Sequence, residues 1–338
     1  MKVYEIQNRT GLDALTLAER PEPKPAHGHV LVKIHAASLN YRDLMIAGGT
    51  YGPRADPPVI ALSDGAGEVA GIDEGVTRVK VGDRVAGIFI QTHIAGVLTE
   101  EKRQSALGGS IDGILAEYVS LNEDGVVVIP EHLSYEEAAT LPCAAVTAWN
   151  GLITSGKLQT GETVLVQGTG GVSLFALQIA KAAGARVIIT SSSDEKLNKA
   201  RALGADDTIN YRTDPGWDIR ALELTGGVGV DHVVDVGGPA TINQSLRAVR
   251  CDGRISVIGV LTGVAGEINI MDMIRKNVNI QGISIGSREM FEAMNRSIAQ
   301  NKLHPVIDRV FPFSETRDAY EYLQSGKHFG KVVIRVAD

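Results

Sequence analysis

The stretch Thr163-Val-Leu-Val-Gln-Gly-Thr-Gly-Gly-Val-Ser173 constrains this chain more than any other. An apolar run of strand length leads into Gly168, Gly170 and Gly171. Apolar residues then recur at Val172, Phe175, Ala176, Ile179, Ala180 and Ala183, the period of an amphipathic helix, which Gly184 stops. Glycines at such a turn let backbone N–H groups approach a pyrophosphate, and the helix N-terminus adds orphan donors and partial positive charge. Gly168, Gly170, Gly171 and Val172 are therefore expected to hold a dinucleotide; the alternative is a tight turn with no ligand. Ser173 stands where the third glycine of the pattern would fall, and serine is small enough for close helix–strand packing.

The same rhythm continues around this turn. Strand patterns at 186–190, 208–210, 232–236, 255–258 and 279–285 alternate with helical ones at 195–203, 219–224 and 242–249. Strands alternating with helices predict a parallel, doubly wound sheet, an α/β fold. Residues 1 to about 124 read differently, as short apolar or alternating β runs punctuated by proline and glycine. The last fifty residues predict a helix at 289–299, a loop with Pro305 and a final strand at 331–336; they need not belong to the sheet domain, and a return of the chain to the first domain is one reading.

Bulk properties narrow the function. The net charge of -7 disfavours nucleic acid and anionic membranes as main partners. No apolar run reaches the roughly 20 residues that span a bilayer, and the N-terminal stretch lacks the apolar core of a signal peptide. Two cysteines, Cys143 and Cys251, cannot build a disulfide framework and suit a reducing, cytoplasmic setting.

The end of the second strand of the α/β pattern distinguishes the two nicotinamide dinucleotides. An acid there would bind the adenosine ribose hydroxyls and repel a 2′-phosphate. The chain instead reads Thr190-Ser191-Ser192-Ser193-Asp194-Glu195-Lys196. Ser191, Ser192 and Lys196 can receive a phosphate, which predicts NADPH. Alternatively Ser192 and Glu195 form a capping box and Lys196 is solvated; a serine can cap while its neighbours bind.

With these residues in view, the chain resembles the medium-chain dehydrogenase/reductase superfamily, in its zinc-free, quinone-oxidoreductase-like branch. The resemblance rests on Ala36-Ala-Ser-Leu-Asn-Tyr-Arg-Asp43, Leu62-Ser-Asp-Gly-Ala-Gly67, Val81-Gly-Asp-Arg-Val85, Leu141-Pro142 followed by Thr147-Ala148-Trp149, the glycine turn, Val234-Asp-Val-Gly237 and Phe329-Gly-Lys-Val332. It implies a Rossmann NADP-binding domain (125–289) inserted in a GroES-like β domain (1–124 and 290–338), and a homodimer or homotetramer. Zinc alcohol dehydrogenases of the superfamily carry a cysteine where this chain has Asn40 and a histidine where it has Ser63; neither replacement is a good zinc ligand. Their structural-zinc lobe uses four cysteines, and residues 91–115 here have none. His27, His29 and His93 read as surface or loop histidines, and Asp43 and Asp64 match acidic positions of the family.

The resemblance further implies that Asn40 and Tyr51 line the substrate site, as donors to a carbonyl oxygen. The alternatives are a loop-ordering amide and a rim aromatic. Thr147, Tyr211, Ser287 and Lys331 match cofactor contacts, with a strand-end surface charge as the other reading of Lys331. Val236, Gly237, Ile258 and Gly259 end the fourth and fifth strands, where such sheets bind their ligands. The reaction implied is hydride transfer from NADPH to a quinone or α,β-unsaturated carbonyl without metal. A zinc-type alcohol dehydrogenase and a non-catalytic, crystallin-like NADPH-binding protein are the competing readings.

Overall fold

The computed structural model describes residues 1–7, 11–51 and 58–337. In chain order its strands are β1 (Lys2–Ile6), β2 (Leu15–Glu19), β3 (His29–Ser38), β4 (Val59–Ile60), β5 (Asp64–Ile72), β6 (Arg84–Gly87), β7 (Tyr118–Asn122), β8 (Val126–Val128), β9 (Thr163–Val166), β10 (Arg186–Ser191), β11 (Asp207–Asn210), β12 (Val230–Asp235), β13 (Val249–Val257), β14 (Asn279–Gly282), β15 (Ile307–Pro312) and β16 (Lys331–Arg335). They fall into two units, Met1–Val146 with Gly286–Asp338, and Thr147–Ile285.

The first unit is built on β3, a long strand in which Val30, Val32 and Ile34 alternate inward. The alternation stops at Ala36, Ala37 and Ser38, all buried, as the strand enters the polar cluster described below. The sheet order is β15-β16-β3-β5-β6-β8, with β7 also paired to β3, and β2-β1-β4 form a smaller sheet. Two registers matter for function. β5 runs antiparallel to β3 with Asp64 opposite Ser38, and β16 runs antiparallel to it with Val333 opposite Ser38. Both ladders therefore deliver their first residues, Asp64 and Lys331, to the end of β3 where Asn40 follows. The core beneath is aliphatic, with Ile60, Leu62, Val332, Ile334 and Tyr320 fully or almost fully buried.

The second unit is a six-stranded sheet, β11-β10-β9-β12-β13-β14, with every pair parallel. The helices Gly171–Ala182, Asp194–Ala202, Trp217–Leu224 and Ile242–Ala248 alternate with its strands, the doubly wound α/β pattern read from the sequence. Leu165, Ile188, Val233 and Ile255 from the central strands pack with Trp217 and Leu246.

The last fifty residues hold more structure than their pattern predicts. Besides the helix Arg288–Asn301 and β16 there are β15 and a helix, Thr316–Gln324. Asp308, Arg309 and Pro312 hide β15 from a search for apolar alternation. They are tolerated because β15 is the sheet's edge, where polar side chains and a proline do no harm to a ladder. Among the described residues no helix is long and apolar enough to cross a membrane.

Candidate functional site

A buried polar cluster gathers in the first unit. Asn40 ends β3's approach and caps the helix Tyr41–Ala47, its backbone N–H donating to Oδ2 of Asp43 at 2.7 Å. Lys331, 3% exposed, donates from Nζ to the carbonyl of Leu39 and to Oδ1 of Asn40, each at 2.6 Å. Asp64 is fully buried; Ser63 Oγ donates to its Oδ1 at 2.7 Å and the backbone N–H of Cys143 to its Oδ2 at 2.9 Å. That N–H is free to do so because Cys143 lies in the first turn of a π-helical segment, Leu141–Ala145, where no intrahelical acceptor exists.

Burial and charge oppose each other throughout. Burial pushes the Asp64 carboxyl up, against the Lys331 ammonium, the hydrogen bonds from Ser63 and Cys143, and the nearby side-chain amide of Asn40. It pulls Lys331 down, against Asp64. Asp43 is raised to about 6 by burial, which outweighs the neighbouring Arg42. The Cys143 thiol is pushed up by burial and then by Asp64, so it stays protonated. Arg42 donates to Leu107 O at 3.0 Å, and its guanidinium lies 4.5 Å from the centre of the Phe89 ring and 5.3 Å from that of Tyr51. Among the described residues, Asn40 Nδ2, Asp43 Oδ1 and the Tyr320 hydroxyl are buried without a hydrogen-bond partner.

The backbone leading to Asp64 is strained. Leu62 has φ of 63°, a left-handed conformation that costs an L-residue ~1–2 kcal/mol. Gly113 makes it possible: a Cβ there would stand 2.0 Å from the Leu62 carbonyl oxygen. The resulting close approach lets Ile114 N–H donate to Leu62 O at 2.9 Å.

The second unit carries the glycine turn. Gly168 takes φ of 71°, and its N–H reaches Thr190 Oγ1 at 3.3 Å. Gly170 precedes the helix Gly171–Ala182 with no side-chain cap, and a Cβ on it would meet nothing within 4 Å. The first-turn N–H groups of that helix thus present an uncapped donor cradle, which fits a pyrophosphate. Ser173 is buried and donates to Gln167 O at 2.7 Å, so the hydroxyl that departs from the glycine pattern ties the helix to its strand. Asp235, fully buried, accepts from Gln167, Thr241, Ser245 and the Gly238 N–H, fixing the turn that follows β12.

Sequence-derived site residues fall as follows. Val236, Gly237, Ile258 and Gly259 meet just past β12 and β13: both Ile258 and Gly259 N–H groups face Asp235 O, and a Cβ on Gly259 would lie 2.1 Å from Val236 O. Ser191 is buried at the end of β10, Ser192 and Lys196 are half-buried, and Tyr211 is exposed with its N–H on Ser191 O. Thr147 is buried at the start of the second unit. Ser287, in the first unit, caps the helix Arg288–Asn301 through Met290 N–H. Tyr51 is exposed, and its ring centre lies 5.3 Å from the Arg42 guanidinium.

Three readings need correction. The helix Asp194–Ala202 is capped by Ser193, which accepts from Lys196 N–H, and not by Ser192; the strand runs one residue further before the chain turns. Lys331 is no surface charge. Of the surface or loop reading of His93, the structure keeps the loop and not the surface: it is buried, with Nε2 3.1 Å from Gly96 O. The sequence reading assigned no function to Arg42, Cys143 or Tyr320. Arg42 lies inside a motif already quoted; Cys143 had no signal beyond its place after Leu141-Pro142.

A doubly wound parallel sheet opened by a glycine turn, in a chain that also builds a separate β unit, defines an α/β dehydrogenase type of protein. Family models agree: residues 26–131 match the alcohol dehydrogenase GroES-like domain and residues 171–300 the zinc-binding dehydrogenase domain. A zinc-type alcohol dehydrogenase-like protein of Schizosaccharomyces pombe is 47% identical, covering 97% of this chain and 96% of its own. The chain belongs to the medium-chain dehydrogenase/reductase superfamily and is an oxidoreductase of that family. An acryloyl-coenzyme A reductase of Metallosphaera sedula is 32% identical over 94% of this chain and 95% of its own. Among solved structures, an NAD-dependent alcohol dehydrogenase superposes with a TM-score of 0.91, 33% identity and full coverage of both chains. A 2-octenoyl-CoA carboxylase reductase in complex with NADP and 2-octenoyl-CoA superposes with a TM-score of 0.87 and 25% identity, covering 99% of this chain and 87% of its own.

Proposed function

We propose that this protein is an NADPH-dependent reductase of α,β-unsaturated carbonyls or quinones that works without a metal. The observation that carries the reading is the buried, unpartnered Nδ2 of Asn40. An unsatisfied buried donor costs ~1–3 kcal/mol, and such an atom persists where a ligand is to accept from it. A substrate carbonyl oxygen that gains charge during hydride transfer is an acceptor of that kind.

The matching family model is that of a zinc-binding dehydrogenase, but the donors present here are poor zinc ligands. Asn40 presents its oxygen to an ammonium, Ser63 gives its hydroxyl to Asp64, and the Cys143 thiol is held protonated. Among the described residues no three of His, Cys, Asp or Glu stand together to hold a metal. These residues do not fit zinc, which takes thiolate, imidazole or carboxylate.

When bound, the reduced nicotinamide supplies the hydride. The chain's own part is to hold the dinucleotide on the uncapped turn at Gly168–Gly171 and to steady the carbonyl oxygen by the Asn40 amide. Tyr51, exposed with its ring against Arg42, is the proposed second donor. Without a Lewis acid the favoured acceptors are those that delocalise charge themselves. The relatives that reduce acryloyl-CoA or hold 2-octenoyl-CoA support a conjugated acceptor, and Ser191, Ser192 and Lys196 in place of an acid support NADPH. The exposed edge strand β14 supports a homo-oligomer.

Steady-state assays with NADPH and NADH against an enone, an enoyl thioester, a quinone and a primary alcohol test this reading, with zinc measured in the same preparation. Turnover of the conjugated acceptors with substoichiometric zinc is expected. Zinc-dependent alcohol oxidation with no reduction of the other three would refute it.

A further inference from the structure

We propose that Lys331 is a positioning residue that locks the Asn40 side chain with its N–H facing the substrate; the inference rests on the proposed role of Asn40. A primary amide can turn over about its last torsion at little steric cost, exchanging oxygen for nitrogen. The two states have opposite consequences: one offers a donor to a carbonyl oxygen, the other repels it. An ammonium carries donors and no acceptor. With Nζ 2.6 Å from both Leu39 O and Asn40 Oδ1, the turned-over amide would place its NH2 against the ammonium. Lys331 thus admits one orientation, in which Nδ2 acts on the Asp64 carboxylate but completes no hydrogen bond within the cluster.

Three features keep the ammonium there. The antiparallel register of β16 on β3, with Arg335 opposite Ala36 and Val333 opposite Ser38, carries on to set Lys331 opposite Asn40. The Leu39 N–H donates to Val332 O at 3.0 Å, pinning the strands at that point. Asp64, fully buried nearby, favours the charged lysine. A charge-assisted bond to Oδ1 also polarises the amide, strengthening Nδ2–H as a donor.

The test is a double-mutant cycle of Lys331→Met and Asn40→Ala, read as kcat for an enone at saturating NADPH, with Lys331→Arg and Lys331→Gln alongside. Lys331→Met alone should lower kcat about 10- to 100-fold, less than the ~10²- to 10³-fold of an oxyanion donor removed outright, because the amide is freed to turn and not lost, with the NADPH dissociation constant within about twofold. Added to Asn40→Ala it should cost less than about twofold more, because residues acting through one another are not additive. Arginine, also donor-only, should restore most of the rate; glutamine, which can donate or accept, should not. Independent losses, or weaker NADPH binding with unchanged kcat, would overturn the assignment. Orientation is also read without turnover, from the Asn40 side-chain amide signals of asparagine-15N-labelled protein. They should move or broaden in Lys331→Gln, and an unchanged pair would equally defeat the proposal. A wild-type chain inactive on every conjugated acceptor would remove the proposed function, while the amide signals still decide the orientation.

Discussion

The carboxylate of Asp64 accepts the backbone N–H of Cys143 at 2.9 Å, across 79 positions of sequence. One oxygen therefore anchors the π-helical turn while the other takes the Ser63 hydroxyl, and the net charge offsets Lys331. Asp64→Ala should remove all three effects and destabilise the fold by roughly 3 kcal/mol, in the range for stripping one member of a buried charged pair. Asp64→Asn, which still accepts, should cost less. Urea denaturation measures both; equal and negligible losses would show that Asp64 does not organise this region.

Asp43 gives stability a pH dependence. Its carboxyl ionises near 6 in the folded chain against an ordinary 3.8. As pH rises between these values the unfolded chain loses its proton first, so this group's contribution favours folding at the acid end and is lost by the time pH passes 6. The shift corresponds to roughly 3 kcal/mol. Asp43→Asn lacks this loss. Its stability relative to the parent should improve by up to that amount between pH 4 and pH 7, and a pH-independent difference would contradict the raised value.

The two cysteines should differ sharply in reactivity. Cys251 is exposed, whereas Cys143 is half-buried and desolvation, with Asp64, holds its thiol in the unreactive form. Iodoacetamide at pH 8 should label Cys251 readily and Cys143 far more slowly until the protein is denatured, as peptide mass spectrometry would reveal. Fast labelling of Cys143 in the native protein would mean its surroundings are misread.

Asn40→Ala should lower kcat/KM for a conjugated acceptor by about 10²-fold or more, since one well-aimed donor is worth up to ~3–4 kcal/mol in the transition state. NADPH affinity, measured by fluorescence titration, should hardly change. A variant with parental kcat/KM would remove Asn40 from the reaction.

Cofactor choice should respond to the segment after β10. Lys196→Ala should raise the NADPH dissociation constant about tenfold and leave that for NADH nearly unchanged, because a charge-assisted contact is worth ~1.5–3 kcal/mol. Ser191→Asp should weaken NADPH by placing an acid at the strand end. Tighter binding of NADH by the parent protein would reverse the assignment.

What the sequence determined by itself is local. The turn at Gly168–Gly171 is legible because strand, glycines and helix follow one another within a dozen residues, and each obeys a short-range rule of periodicity or backbone freedom. The alternating strands and helices of the second unit are legible for the same reason. Even there a one-residue step was beyond reach: Ser192 and Ser193 are chemically equal, and only the length of β10 selects Ser193 as the cap. Tertiary structure alone decided the polar cluster. Asn40 and Lys331 are 291 positions apart, and a lysine at a strand end reads as solvated until the register of β16 on β3 buries it beside the amide. The orientation of Asn40 follows from that contact, because hydrogen-bond direction depends on which atoms meet in space and leaves no trace in the spacing of residues along the chain.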